Sequence, residues 1–260
     1  MPIPEVQFTP EGPVAFLTFN RPEARNAMTW PMYDALAEAC DLVDADSRIR
    51  VFVLGGAGDA FVAGTDISQF ISFASADDGI AYERRMERVI DRLEQVAVPT
   101  IARVHGVAAG GGCLIALACD LRVCSPAARF GVPIARTVGN CLSAANCARL
   151  VDLIGPARAK ELLFSGRLVD ATEAHSLGLA TRLAAVDRLD AAVRELAQTI
   201  ACNAPLTIRA AKEAIRRIAL RRRLEDGLAD DLTAMCYGSR DFHEGVAAFL
   251  DKRPPRFTGR

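Results

Sequence analysis

Apolar and polar positions along the chain fall into blocks that predict short strands separated by amphipathic helices. Two β-branched and aromatic runs, residues 6–8 and 14–19, flank a turn rich in Pro and Gly and predict a β-hairpin. Further apolar runs at residues 50–54, 100–104 and 121–124 predict buried strands. Residues 33, 36, 40 and 43 share one helical face, as do residues 89, 90, 93 and 96. This repeated order of strand and helix predicts a parallel sheet covered by helices.

The pattern changes along the second half of the chain, where helices dominate. Residues 57–80 lack a clear period, so we expect a long loop there, with helix resuming near Ala81. Gly155 and Pro156 predict the end of one helix and the start of another. Asp170 resembles a helix cap, and Asp241 begins a segment that looks like the cap of the last helix. We therefore predict an α/β core over residues 1–195 and a helical region over residues 196–260.

Composition narrows the function classes. The chain has 260 residues, 51% of them hydrophobic and 24% charged, with a formal net charge of −1. A balanced charge gives no reason to expect nucleic-acid binding, and the basic run at residues 216–223 is expected to be a solvated helix face. No apolar run approaches the roughly 20 residues of a membrane span, and residues 1–5 do not resemble a signal peptide.

Cysteine and histidine usage points to a protein without disulfides or a metal site. The eight cysteines show no Cys-x-x-Cys spacing, and several lie in apolar runs. We expect a reduced, cytoplasmic protein. The three histidines have no metal-ligand spacing, and His105 is expected to be structural.

A glycine-rich turn between a predicted strand and an apolar helix is the most distinctive stretch of the chain. It runs from Gly106 to Asp120 and contains three consecutive glycines, residues 110–112. Such a turn can present free N–H groups of a helix start to negative charge. It is equally typical of a tight turn with close packing. The turn alone leaves both interpretations open.

Three stretches taken together resemble the crotonase, or enoyl-CoA hydratase/isomerase, superfamily. They are Asn20-Arg-Pro-x-x-x-Asn26-Ala, Phe61-x-Ala-Gly-Thr-Asp66-Ile and Gly106-x-x-x-Gly-Gly-Gly-Cys113. Shorter matches follow in the family's order over nearly the whole chain. The resemblance implies a spiral of ββα units followed by C-terminal helices that assemble a homotrimer or a dimer of trimers. It also implies a coenzyme A thioester as substrate, with no separate cofactor.

The same resemblance implies where the thioester binds. Two backbone N–H groups, which fall on Thr65 and Gly111, would form an oxyanion hole for a thioester enolate. Stretches that line the CoA moiety in the family correspond here to residues Arg25, Ala27, Ala63, Asp66 and Ile67. Asp66 is also a candidate loop cap. Phe249 and Lys252 match a stretch that in relatives can reach CoA on a neighbouring subunit.

The chain departs from the hydratases at both acid/base positions. The two glutamates that hydratases use correspond here to Leu114, after the glycine cluster, and Ile134, after Phe130-Gly-Val-Pro. Neither aliphatic side chain can transfer a proton, so hydration by that pair is not expected. Other branches of the superfamily place acid/base groups after the long loop or beyond the Phe-Gly turn. The candidates there are Asp77, Asp78, Tyr82, Glu83, Arg136, Asn140, Cys141 and Ser143. Each is also typical of a cap or surface residue.

Two functions from different classes remain in view. One is an acyl-CoA enzyme whose reaction is decarboxylation, double-bond isomerisation, thioester hydrolysis or carbon–carbon cleavage. The other is a non-catalytic acyl-CoA-binding protein. A nucleotide-binding protein is disfavoured because the turn lacks Gly-x-Gly-x-x-Gly and a Walker lysine. No Gly-x-Ser-x-Gly motif supports a serine hydrolase.

Overall fold

The computed structural model describes residues 4–223 and 227–260. The first three residues, which entered the signal-peptide expectation, therefore lie outside the described residues. Within the described ranges the strands are β1 (Val6–Glu11), β2 (Val14–Phe19), β3 (Val51–Gly56), β4 (Ala60–Val62), β5 (Thr100–Val104), β6 (Val107–Ala109), β7 (Leu121–Cys124), β8 (Arg129–Gly131), β9 (Val169–Asp170) and β10 (Arg182–Leu183).

The helices alternate with these strands in the first part of the chain, and the C-terminal part is mainly helical. They are α1 (Trp30–Ala45), α2 (Ala76–Glu94), α3 (Gly111–Ala118), α4 (Ala144–Ser165), α5 (Ala171–Leu177), α6 (Leu189–Ala201), α7 (Pro205–Leu220), α8 (Asp230–Tyr237) and α9 (Arg240–Leu250). Gly155 has φ 75° and interrupts α4, as the Gly155-Pro156 pair predicts.

The strands form two sheets that share a repeating unit. The larger sheet has the order β1-β2-β3-β5-β7-β10, and the smaller has the order β4-β6-β8-β9. Successive pairs β3 and β4, β5 and β6, and β7 and β8 each send one strand to each sheet and are followed by a helix. This arrangement is the predicted spiral of ββα units.

Alternation along the strands of the larger sheet divides the core into two layers. Phe52 and Leu54 face the main core, while Val51 and Val53 pack with α6 on the opposite face. Side chains of a strand point alternately to its two faces, so a fully apolar run such as β3 is buried on both sides. The buried-strand prediction for residues 50–54 is confirmed.

The structure corrects the predicted boundaries of two helices. α2 begins at Ala76 rather than near Ala81, because Ser75 and Asp78 form a capping box ahead of the apolar stripe. α9 is capped by Ser239, whose hydroxyl accepts from the Phe242 N–H at 3.0 Å. Asp241 instead accepts from the backbone N–H groups of Thr258 and Gly259 near the C-terminus.

The long loop expected over residues 57–80 contains regular structure. It includes β4 and a 3-10 helix, Ile67–Phe70. Strands of two or three residues are too short to show a period in the sequence, and the same reason hid β6, β8, β9 and β10.

The basic run at residues 216–223 is a solvated face only in part. The Arg223 side chain is 9% exposed, and its guanidinium pairs with Glu94 at 2.8 Å. Arg217, by contrast, is exposed and pairs with Glu213 on its own helix. No helix in the described ranges has both the length and the apolar character to cross a membrane.

Candidate active site

A small, mainly apolar cavity lies where the loops after β4, β6 and β8 meet α2. Its volume is about 110 Å³. β4, β6 and β8 are neighbouring parallel strands, so the segments that follow them emerge at one end of the smaller sheet. The walls consist of Ala63, Gly64, Thr65, Ile67, Phe70, Tyr82, Glu83, Met86, Ala109, Gly110, Gly111, Leu114, Pro133, Ile134, Thr137, Val138, Asn140, Leu142 and Phe249.

The glycine turn supplies one wall, and two of its glycines are required by geometry. Gly110 has φ 51° and ψ −124°, a conformation that side-chain-bearing residues rarely adopt. A Cβ at Gly112 would collide with the carbonyl oxygen of Val62 in β4. The close-packing interpretation of the turn is thus confirmed, and α3 begins within the turn, at Gly111. The presentation of its N–H groups to negative charge stays a prediction.

The two predicted oxyanion-hole residues both line this cavity. Thr65 and Met28 are paired in a short parallel β-bridge. Its two hydrogen bonds run from the Met28 N–H to Gly64 O at 2.8 Å and from the Asp66 N–H to Met28 O at 2.9 Å. Because its neighbours make these bonds, the Thr65 N–H points away from Met28. Gly111 occupies the first turn of α3, where N–H groups lack helical partners. In the described part of the chain, neither N–H has a protein acceptor.

A buried asparagine, named in the sequence analysis only as part of the first motif and with no role assigned, holds the first loop in place. Asn26 is fully buried with φ 58°, and its Nδ2 donates to the carbonyl oxygens of Ala57, Ala60 and Phe61 at 2.9–3.2 Å. Its Oδ1 accepts from the Arg21 N–H at 2.8 Å. The signal for this role was its position in a polar loop between strand and helix, which does not distinguish a buried amide from an exposed one.

Among the described residues that line the cavity, Glu83 alone carries a carboxyl group. It is 6% exposed and accepts hydrogen bonds from the Tyr237 hydroxyl at 2.6 Å and the Ser143 N–H at 3.1 Å. Asn140 in turn donates its Nδ2 to the Tyr237 hydroxyl at 3.0 Å. Elements distant in sequence, α2, α8 and the segment before α4, therefore hold this carboxyl group.

Burial governs the protonation of Glu83. Desolvation raises its pKa to about 7, with the hydrogen bonds from Tyr237 and Ser143 opposing that rise. The nearby Glu87 carboxylate adds a smaller upward effect on the same pKa. A carboxyl group with a pKa near neutrality can give or take a proton at physiological pH.

Leu114 and Ile134, the two positions aligned with the hydratase glutamates, both lie in the cavity wall. Leu114 is on α3 and is 3% exposed. Ile134 lies in the short 3-10 helix Pro133–Ala135 after β8. Their side chains make this part of the cavity apolar.

The residues predicted for the CoA moiety divide into two groups. Ala63 and Ile67 line the cavity, whereas Arg25, Ala27 and Asp66 lie outside its wall. The Asp66 carboxylate accepts from Arg21 at 2.7 Å and from the Ser68 N–H at 3.1 Å, so it caps the 3-10 helix as the alternative interpretation predicted. The Arg25 side chain is exposed, and its carbonyl oxygen accepts from the Ala63 N–H at 3.0 Å.

Of the two C-terminal candidates, Phe249 and Lys252, one lies at the cavity and the other does not. Phe249 of α9 reaches the cavity wall, while Lys252 follows the end of that helix and is exposed with φ 55°.

Of the acid/base candidates, Tyr82, Glu83 and Asn140 reach the cavity and the others do not. Asp78 completes the capping box of α2, and Ser143 caps α4. Asp77 belongs to the first turn of α2, and Arg136 is exposed. Cys141 packs beside α8. His105 also lies away from the cavity, where its Nδ1 lies 2.9 Å from the Ser125 hydroxyl.

Within the described ranges, no group of three His, Cys, Asp or Glu side chains is arranged to hold a metal ion. All eight cysteines are free thiols.

Comparison with known proteins identifies the family. Residues 9–260 match the family described as enoyl-CoA hydratase/isomerase. The chain belongs to this family.

Relatives and solved structures agree over the full length. A putative enoyl-CoA hydratase of Thermus thermophilus is 37% identical over 251 residues, which cover 95% of this chain and 98% of the relative. A crystal structure of an enoyl-CoA hydratase/carnithine racemase from Magnetospirillum magneticum has a TM-score of 0.81 at 36% identity, covering 100% and 97% of the two chains. Methylmalonyl-CoA decarboxylase complexed with 2S-carboxypropyl-CoA has a TM-score of 0.90 at 25% identity, covering all of both chains. The predicted crotonase fold is confirmed.

Proposed function

We propose that this protein is an acyl-CoA thioester enzyme that stabilises an enolate and moves a single proton through Glu83. The observation that carries the proposal is the buried carboxyl group of Glu83, whose pKa burial raises to about 7. It lies in the same small cavity as two backbone N–H groups that have no acceptor among the described residues. CoA enters as part of the substrate, and no separate cofactor is required. We expect the protein to act in the cytoplasm.

The two N–H groups of Thr65 and Gly111 would receive the thioester oxygen as it gains charge. Backbone donors are rigid and neutral, and one such donor is typically worth roughly 10²–10³ in rate. The positive end of α3 lies behind Gly111 and adds to this stabilisation. These features serve any reaction that passes through a thioester enolate.

Glu83 would remove or return the proton at a carbon of the acyl chain. Its hydrogen bonds from Tyr237 and the Ser143 N–H fix the carboxyl group in the wall. The pKa near 7 leaves carboxylate and carboxylic acid both populated at neutral pH. One carboxyl group suffices for deprotonation and reprotonation, as in double-bond isomerisation, or for protonating an enolate left by bond cleavage.

Leu114 and Ile134 argue against hydration as the reaction. Hydration requires one group that activates water and a second that delivers a proton. Aliphatic side chains at these two wall positions leave no site for the usual pair of carboxylates. They also favour an apolar acyl group over bound water.

The first experiment measures exchange of acyl-chain hydrogens with solvent. The purified protein is incubated in D₂O with a panel of saturated and unsaturated acyl-CoA thioesters, and deuterium uptake and products are followed by mass spectrometry. We expect uptake next to the thioester carbonyl, with a rate that rises with pH around a midpoint near 7 as Glu83 becomes a carboxylate. Glu83→Gln should lower the rate by about 10²-fold or more.

Asp77→Asn is the matched control, because Asp77 lies on the same helix, is exposed and lies outside the cavity wall. It should retain exchange within a few-fold of the unsubstituted protein. Equal rates for both variants would contradict the role of Glu83. A water adduct on crotonyl-CoA would contradict the exclusion of hydration. Tight thioester binding without exchange or product would favour the non-catalytic alternative.

We also propose that the helices after residue 196 assemble the chain as a homotrimer or a dimer of trimers, as the family resemblance implies. Large apolar side chains there are exposed, among them Leu206, Ile215, Ile218, Leu232 and Met235. Self-association would remove this apolar surface from water.

A further inference from the structure

Three side-chain hydroxyls form a chain at the wall of the cavity. The Thr65 Oγ1 atom lies 2.8 Å from the Tyr33 hydroxyl and 2.8 Å from the Tyr82 hydroxyl. Thr65 and Tyr82 line the cavity, whereas Tyr33 is fully buried behind them. Within the described ranges, these are the only hydrogen bonds that the three hydroxyls make.

The proton count of the three hydroxyls leaves one O–H donor without an acceptor among them. Three hydroxyls carry three protons, and two bonds within the chain use two of them. If Tyr33 donates to Thr65 and Thr65 donates to Tyr82, the Tyr82 proton has no acceptor in the described protein. Tyr82 is then a phenolic donor at the cavity wall, polarised by the two hydroxyls behind it.

The hydroxyl chain, through Thr65 and Tyr33, lies beside the two N–H groups that have no acceptor in the described residues. Thr65 carries both the central hydroxyl and one of those N–H groups. A Cβ at Gly111 would be 3.2 Å from Thr65 Oγ1 and 2.6 Å from the Tyr33 hydroxyl. An oxygen atom held by the Thr65 and Gly111 N–H groups would therefore be close to the hydroxyl chain.

Burial keeps these hydroxyls protonated. Desolvation raises the pKa of Tyr33 and of Tyr82 well above the ordinary range for tyrosine. A phenol that stays neutral can donate to a developing anion without losing its own proton.

We propose that Tyr82, oriented by Thr65 and Tyr33, donates a third hydrogen bond to the enolate oxygen. The inference rests on the proposed function and deepens it: the anion hole has two backbone donors and one side-chain donor. Tyr82 is the donor that contacts the substrate, and Thr65 and Tyr33 position it through their hydroxyls. The anion is the thioester enolate formed when a proton leaves the carbon next to the carbonyl.

The test uses acetoacetyl-CoA, whose enolate absorbs in the near ultraviolet, and needs no turnover. The pKa of the bound ligand is obtained by titrating the enolate band in the presence of saturating protein. The unsubstituted protein should lower this pKa below that of free acetoacetyl-CoA. A hydrogen bond to a charged group supports a shift of about one unit or more, which is about tenfold or more in enolate at a given pH.

Tyr82→Phe should raise the pKa of the bound ligand by about one unit, which is about tenfold less enolate at a given pH, while the two backbone donors keep the rest of the effect. Thr65→Val, which keeps the shape of threonine without its hydroxyl, should raise it by most of that amount. Thr65→Ser is the matched control that restores the hydroxyl and should restore the shift. Thermal melting checks that each variant is folded, and Thr65→Val decides the question if Tyr82→Phe does not fold.

Two results overturn the inference, and they differ. If Tyr82→Phe and Thr65→Val both lower the ligand pKa as much as the unsubstituted protein does, the hydroxyl chain is not part of the hole. If the unsubstituted protein binds acetoacetyl-CoA without lowering its pKa, the hole itself is absent and the proposed function fails with it.

Discussion

At the scale of single residues, the proposed chemistry centres on Glu83. Sequence reasoning named it among eight candidates on both sides of the cavity, and its neighbours in sequence did not separate it from Asp77 or Asp78. The separation comes from Tyr237 and Ser143, which lie 154 and 60 residues away and bind its carboxyl group. Contacts between such distant positions are not encoded in a local pattern.

The raised pKa of Glu83 predicts a pH dependence of stability. Its pKa is about 7 in the folded protein, compared with 4.5 for an ordinary glutamate such as that of the unfolded chain. The folded state therefore keeps the proton to a higher pH. The contribution of Glu83 to the free energy of unfolding is fully present below pH 4.5 and is lost as the pH rises to 7. At 1.36 kcal/mol per unit, the loss is about 3 kcal/mol as an upper figure.

Urea unfolding of the unsubstituted protein and Glu83→Gln at pH 5 and pH 8 measures this effect. Glu83→Gln has no charge to bury, so its free energy of unfolding relative to the unsubstituted protein should be higher at pH 8 than at pH 5. Glu38→Gln, at an exposed position on α1, serves as the control and should show no such change. A constant difference between Glu83→Gln and the unsubstituted protein across this range would contradict the prediction.

At the scale of elements, α3 is positioned by its two ends. Its start packs against β4 without a Cβ at Gly112. Its end is held by Arg122, which is 5% exposed and donates to the carbonyl oxygens of Cys119 at 2.6 Å and Ala116 at 3.3 Å. A guanidinium that binds the last carbonyls of a helix stabilises the negative end of its dipole. Sequence reasoning identified the glycine turn and did not identify Arg122.

Gly112→Ala tests how closely α3 must approach β4. The added methyl group would collide with the backbone of Val62, so β4 and α3 must separate at a cost of about 3 kcal/mol. The same displacement should move Gly111 and reduce the deuterium exchange described above. Chemical unfolding and the exchange rate measure the two effects.

Gly12→Ala is the control for this substitution. Gly12, unlike Gly112, has a positive φ, 61°, and it has open space around its Cβ position. It should cost only about 1 kcal/mol and leave exchange unchanged. A Gly112→Ala protein as stable and active as Gly12→Ala would show that the close approach is not required.

At the scale of the whole molecule, the cavity exists because two sheets share the ββα units. The loops that line it follow β4, β6 and β8, which are adjacent and parallel in the smaller sheet. Consecutive members of this set lie about 20 to 45 residues apart in sequence, and each of these strands has only three residues. Their pairing is decided by the larger sheet and the helices packed between them.

The exposed apolar surface after residue 196 predicts self-association. Ile215 and Ile218 lie one turn apart on α7 and are 68% and 58% exposed. Sedimentation should give a mass three or six times the 27.9 kDa of the chain. Ile215→Glu combined with Ile218→Glu should shift the protein toward the monomer, because burial of two carboxylates in an interface is unfavourable.

Phe164→Glu, at an exposed apolar residue outside this region, should keep the assembled mass. A monomer at micromolar concentration for the unsubstituted protein would contradict the assembly. An unchanged mass for the double variant would place the interface elsewhere.

The sequence by itself determined the strands with a clear apolar run, the break at Gly155, the glycine turn and, through ordered motifs, the family. These features are local or recur in a fixed order, so they are visible without the fold. The tertiary structure decided which candidates share the cavity, that Asp66 is a cap, and that Glu83 is buried with a raised pKa. It also decided that Thr65, Tyr33 and Tyr82 form one hydroxyl chain. Burial and hydrogen bonding between distant segments set these properties, and both arise only when the sheets and helices pack together.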